Sequence, residues 1–316
     1  MKFGFHMFTR GATVTPDAIA GAALHCESLD FDYFGVSDHV VVSAAIDSAY
    51  PYTADGSWAG AAEGECLETL TTLGFLAHAT NTIRLFTSVM VVPHRQAVLA
   101  AKAIATVDVL SGGRVTIGAG AGWMREEMAA LDSPPYDRRG GATAEYLRAF
   151  RVLWRDEICH FDGEFVKFND IMFAPKPVQE GGPPVWIGGE GAAARRRVAL
   201  HGDGWYPVSV NPKAPLYTLE RFKAGLADVR TRTEAAGRDP GELQIAMFAP
   251  HLTMGRELKD KDGVRMAFTG SNEAIVDDIG AFSEAGLQVL VPNLDRPHLS
   301  DIYAACDQFA DIMRAA

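Results

Sequence analysis

Arg84-Leu-Phe-Thr-Ser-Val-Met-Val-Val-Pro-His-Arg95 is separated by an alanine-rich stretch from Gly112-Gly-Arg-Val-Thr-Ile-Gly-Ala-Gly-Ala-Gly-Trp123. The first segment is short, apolar and β-branched, and it reads as a buried strand. Val98, Ala101, Ala105 and Val109 then recur at helical spacing and face inward, with a stop at Gly112-Gly113. Val115 to Gly118 is a second buried strand running into a glycine loop. Strand, crossover helix and strand form the unit of a parallel sheet, which binds ligands at the carboxyl ends of its strands.

The same alternation extends in both directions. Lys2 to Phe8 is a strand, and Thr15 caps a helix that opens with Pro16 and Asp17 and buries Ile19, Ala22, Ala23 and Cys26. Phe34 to Val36 is the next strand, ending in Ser37-Asp38-His39. Leu67, Leu70, Leu73 and Ala77 line one helix, and Tyr146 to Trp154 lies in another. Asp162-Gly163 marks an antiparallel hairpin. Pro184 to Ile187, Gly204 to Tyr206, Leu243 to Phe248 and Leu287 to Val291 complete eight strands, and Ile302 to Met313 closes the chain. Eight βα units in 316 residues predict a (β/α)8 TIM barrel with insertions, one domain over residues 1–316. An open doubly wound sheet is the rival.

Residues 40–64, 122–142 and 250–272 exceed ordinary connection lengths, and each follows a strand. In a barrel they sit over the catalytic face. Tyr50, Tyr52 and Trp58 in the first either cover a flat ring or apolar substrate or pack the loop down.

Composition narrows the function. With 48% hydrophobic residues and 22% charged, the chain has an ordinary globular core. A net charge of −11 excludes a general nucleic-acid binder, which needs a basic face. The four cysteines form no Cys-x-x-Cys pair, so they read as free thiols in a reducing compartment. No stretch has the length of a membrane span and the N-terminus does not read as a signal peptide, so a cytoplasmic location is expected. Neither His-Glu-x-x-His nor an acidic cluster argues for a metal. Ser88 and Ser111 lack a nucleophile-elbow context, so a hydrolase finds no support.

Four places carry chemistry. A bulge at Thr87-Ser88-Val89-Met90 would push backbone toward a planar ligand. Gly118-Ala-Gly120-Ala-Gly122 lacks the spacing of a dinucleotide fingerprint and on its own is a tight turn. Gly188-Gly189-Glu190-Gly191 ahead of a helix makes an anion site from unpaired N–H groups, with Glu190 turned outward and at most one of Arg195, Arg196 and Arg197 in reach. His39 ends a strand beside Asp38; histidine exchanges protons near neutral pH, and a carboxylate neighbour favours its charged form. Glu126 and Glu127 read as the exposed face of a following helix.

Taken together, Ser37 to His39, Thr87 to Val92, Leu110 to Trp123 and Pro175 to Gly189 resemble the luciferase-like flavin and deazaflavin oxidoreductases, with the coenzyme F420-dependent branch most similar. The resemblance implies a luciferase-like TIM barrel, and a cis peptide at Ser88–Val89 supporting the deazaflavin. It implies cofactor contacts at Asp38, Ser88, Val89, Met90, Gly120, Gly122, Trp123, Gly188, Gly189, Glu190 and Gly191, with His39 the candidate catalytic base. Trp123 replaces a glutamate of the sugar-phosphate dehydrogenases of this family, which points to a less polar small-molecule substrate. The implied reaction is hydride transfer between a substrate carbon and C5 of F420, in a homodimer. The alternatives are an FMN-dependent monooxygenase fed by a partner reductase, and a cofactor-binding barrel without turnover. A phosphate-binding barrel isomerase rests on fold analogy alone.

Overall fold

The computed structural model describes residues 1–11, 14–58, 60 and 65–316. Its elements begin with β1 (Lys2–Met7), α1 (Pro16–Ser28), β2 (Tyr33–Val36), α2 (Thr69–Ala79), β3 (Arg84–Val91) and α3 (Ala97–Leu110). β4 (Val115–Gly120), α4 (Arg125–Ala130) and α5 (Arg139–Arg155) follow, then the hairpin of β5 (Ile158–Asp162) and β6 (Lys167–Met172). β7 (Val185–Gly188), α6 (Ala192–His201), β8 (Gly204–Tyr206), α7 (Leu219–Ala235) and β9 (Gln244–Ala249) continue the alternation. A small pair, β10 (Thr253–Met254) and β11 (Thr269–Gly270), precedes α8 (Asn272–Glu284), β12 (Val289–Pro292) and α9 (Leu299–Ala315).

Eight strands close in the order β1-β12-β9-β8-β7-β4-β3-β2, and every pairing among them is parallel. The barrel replaces the rival open sheet. Period-two alternation divides the apolar residues into two cores. Outward-facing Phe5, Leu85 and Ile117 join the inner faces of the helices in the larger one. Tyr33, Phe86, Trp186, Tyr206, Ala246, Val289 and Val291 fill the barrel interior, large residues beside small ones. Gly35 is small because the Phe86 ring occupies the space of a side chain there.

The first helix starts as its sequence predicts, with Thr15 Oγ1 accepting from the Ala18 N–H at 3.2 Å. Two details differ. On α3 the inward line is Ala97, Ala101, Ile104, Ala105 and Asp108, which leaves Val109 38% exposed. Leu67 precedes α2, which begins at Thr69 after a cap by Glu68. Cys26 and Cys306 meet between α1 and α9 as free thiols, their sulfurs 3.9 Å apart. No helix among the described residues is long and apolar enough to cross a membrane.

Candidate active site

At the carboxyl ends of the strands lies a cleft of about 710 Å³, within the range of small-molecule and cofactor sites. Its floor is built by β3. The register against β4 slips between Thr87 and Met90, and the Ser88–Val89 peptide is cis. This bulge turns both Ser88 and Val89 to the cleft, whereas strict alternation would show only one. Val89 lies against the backbones of Gly120 and Gly188; a Cβ at those positions would stand 2.8 and 3.3 Å from its methyls. A Cβ on Gly118 would run into the Thr87 carbonyl oxygen. The glycines are therefore the space into which the bulge fits.

Beneath Val89 runs a hydrogen-bonded row, His6 Nδ1 to Ser88 Oγ at 2.8 Å and Ser88 Oγ to Tyr206 Oη at 2.9 Å. Burial, with the Arg10 charge, pulls the His6 imidazole down to about 3, so it is neutral. Burial pushes the Tyr206 phenol up, so it keeps its proton. His6 Nε2 is buried without a hydrogen-bond partner among the described residues.

One end of the cleft is shaped for an anion. Gly191 caps α6 with no side chain, so the first N–H groups of that helix are left for a ligand, and Ala193 and Ala194 line the cleft. Arg139 and Arg197 line it too. Neither meets a carboxylate within salt-bridge distance among the described residues, and Arg197 Nε is buried without a partner. Burial and the charge of Arg139 hold the Arg197 guanidinium below its usual range, a repulsion that a bound anion would relieve. Arg195 is occupied by Asp228 at 3.1 Å, and Arg196 is exposed.

The wall is formed by His39 at the end of β2. Its Nδ1 lies 2.8 Å from Glu127 Oε2, and its ring packs on Trp58 at 4.6 Å and Trp123 at 6.3 Å. Tyr50 and Tyr52 extend this aromatic wall. Glu127 reaches His39 from α4 and is 1% exposed. Burial would raise its carboxyl, but His39, His94 and the Val40 N–H outweigh burial and hold it below the usual range. Burial also lowers the His94 imidazole, whose two ring nitrogens have no hydrogen-bond partner among the described residues.

The chain has relatives in sequence and in fold. The sequence model of the luciferase-like monooxygenases matches residues 1–254. The chain belongs to the luciferase-like monooxygenase family. An uncharacterized protein of Mycobacterium tuberculosis is 34% identical over 291 residues, 90% of this chain and 96% of that one. The FMNH2-dependent dimethylsulfone monooxygenase of Pseudomonas putida is 32% identical over 172 residues, covering 54% of this chain and 45% of that enzyme. An F420-dependent secondary alcohol dehydrogenase, solved with an F420-acetone adduct, shares the fold at TM-score 0.75 and 18% identity, over 99% of this chain and 98% of the other. This luciferase-like chain is thus an oxidoreductase by family.

The residues that the sequence singles out mostly converge. Asp38, His39, Ser88, Val89, Gly120, Gly122, Trp123, Gly188, Gly189 and Gly191 all line the cleft. Two do not. Met90 is fully buried in the outer core, because the bulge restores alternation after Val89. Glu190 points inward, not outward: it is 2% exposed and accepts from the Val208 N–H at 2.6 Å and from Asn211 Nδ2 at 2.7 Å. Asp38 borders the cleft, yet its oxygens accept from both Arg95 terminal nitrogens, at 2.8 and 2.9 Å, and from the Val91 N–H at 2.8 Å.

Glu127 also contradicts its reading as an exposed helix residue. Three residues after the buried Met124 and one before the buried Met128, it stands on the inner face of α4, and that spacing was its signal. His6 had the alternation of β1 as its signal, on the face opposite Phe5 and Met7. Tyr206 and Arg139 had none that distinguishes them from neighbours.

Proposed function

We propose that the protein is an F420-dependent oxidoreductase that transfers a hydride between the deazaflavin C5 and a carbon of a small, weakly polar substrate, with His39 exchanging the proton of the substrate oxygen. The observation that carries the reading is His39 in the cleft wall, paired through Nδ1 with a buried carboxylate and leaving Nε2 for a ligand. The residues present fit the cofactor. Val89, Gly120 and Gly188 offer an apolar floor for a flat ring, and the α6 N-terminus with Arg139 and Arg197 offers charge for a phosphate. When bound, the deazaflavin supplies two-electron hydride chemistry.

The chain's own share is positioning and proton handling. Val89 sets the depth of the ring, and Tyr50, Tyr52, Trp58 and Trp123 enclose the substrate side and exclude water. That side is mostly aromatic, with the Arg10 guanidinium over the Trp58 ring, which supports an apolar or aromatic substrate over a sugar phosphate. A homodimer is part of this reading, and Leu99 and Leu110, 65% and 63% exposed on α3, are among the apolar residues on the outer surface.

The second reading is an FMN-dependent monooxygenase supplied by a separate reductase, favoured by the identity with the dimethylsulfone enzyme. A binding barrel without turnover would need no proton-exchanging group in the wall, and His39 counts against it. Fluorescence titration of the purified protein with F420 and with FMN decides between the two cofactors, and steady-state turnover with the bound cofactor separates an enzyme from a binding barrel. Micromolar F420 binding without FMN binding is expected; the reverse overturns the proposal.

A further inference from the structure

We infer that Glu127 is a positioning residue that fixes the tautomer and the pose of His39. Its two oxygens have separate tasks. Oε1 accepts from the Val40 N–H at 2.7 Å and from the Val41 N–H at 3.3 Å, which pins the start of the long connection after β2. Oε2 is given to His39 Nδ1 at 2.8 Å. A carboxylate that only held the loop would need Oε1 alone.

The consequence follows from donor and acceptor roles. An ionised carboxylate accepts and cannot donate, so Nδ1 of the neutral ring must carry the hydrogen. Nε2 then holds the lone pair on the cleft side, as a base for a substrate hydroxyl requires. When the substrate O–H bond breaks, its oxygen keeps the electron pair and the proton forms the Nε2–H bond. The positive charge that appears on the ring lies against the carboxylate 2.8 Å away. The remaining neighbour does not compete. His94 Nδ1 stands 3.7 Å from Glu127 Oε1, beyond hydrogen-bond reach, and burial keeps that imidazole neutral.

This inference rests on the proposed role of His39, but its test does not. Glu127→Gln is nearly isosteric. The amide oxygen can still accept from Val40 and Val41, while the NH2 group faces Nδ1 and turns it into an acceptor. In protein labelled with ¹⁵N at its nine histidines, the His39 signals are assigned by their loss in His39→Gln. The wild type is expected to show Nδ1 as the protonated, pyrrole-type nitrogen and Nε2 as the pyridine-type one. In Glu127→Gln the two should exchange identity, with F420 affinity retained and turnover lowered at least ~10²-fold at unchanged KM. A wild-type His39 protonated at Nε2, or an unaltered tautomer in Glu127→Gln, overturns the inference. The wild-type measurement decides it alone where the variant does not fold. The signals are read without cofactor, so they decide this point even where F420 fails to bind and the proposed function falls.

Discussion

Asp38→Asn keeps the shape of a side chain and removes the charge that holds Arg95. The resemblance assigns Asp38 a cofactor contact, whereas its carboxylate is buried and engaged by Arg95 and the Val91 N–H. The asparagine oxygen can still accept from Val91, but the NH2 group then faces a guanidinium that is only 12% exposed. Breaking one side of a buried ion pair costs about 3–5 kcal/mol. Glu68, 2.6 Å from Arg95 and half-exposed, remains as a partner, which places the loss near the low end, ~3 kcal/mol. At roughly 2–4 °C for each kcal/mol, the melting temperature should fall by about 6–12 °C. Differential scanning calorimetry reads that fall, and F420 and FMN titrations of the folded variant should match the wild type. An unchanged melting temperature with at least tenfold weaker cofactor binding would refute the structural role and return Asp38 to the cofactor.

Gly118→Ala should lower stability by about 1–3 kcal/mol and weaken cofactor binding, since its Cβ collides with the Thr87 carbonyl beneath Val89. Gly74→Ala, on α2 with no atom within 4 Å of the new methyl, should instead stabilise by about 0.5–1 kcal/mol; urea melts of the pair with equal shifts would defeat the packing argument. His6 supplies a pH test, because the fold keeps it neutral down to about 3 while the unfolded chain protonates it near 6.5. Its contribution is fully present above 6.5 and is lost as pH falls from there toward 3, since the unfolded state then binds the extra proton. His6→Gln should flatten the urea midpoint across that window, and an unchanged slope would reject His6 as the source.

The barrel was legible because its evidence is local. Period-two runs, helical spacings and the Thr15 cap each need only a few consecutive residues, and the strands built from them fall where those patterns lie. The lining of the candidate cleft was legible where backbone chemistry defines it, as at Gly188, Gly189 and Gly191 before α6 and at His39 after β2. What failed depends on partners distant in the chain. Met90 left the cleft because a slip against β4 changed which of its neighbours face inward. Glu190 turned in toward Val208 and Asn211, which follow β8. Glu127 finds His39 eighty-eight positions away, and only the inner-face spacing of a six-residue helix hinted at it.

The interlock of Val89 with three glycines bears on how such a protein can diversify. Positions 89, 118, 120 and 188 come from three adjacent strands, and none can enlarge unless another yields. Drift at the base of the cleft is thereby restricted to coordinated changes. The aromatic rim borne by Tyr50, Tyr52 and Trp58 obeys no such lock, because those residues belong to a connection outside the barrel ladder. Exchange of that connection between relatives is a route by which descendants of one scaffold acquire new substrates while inheriting the base unaltered.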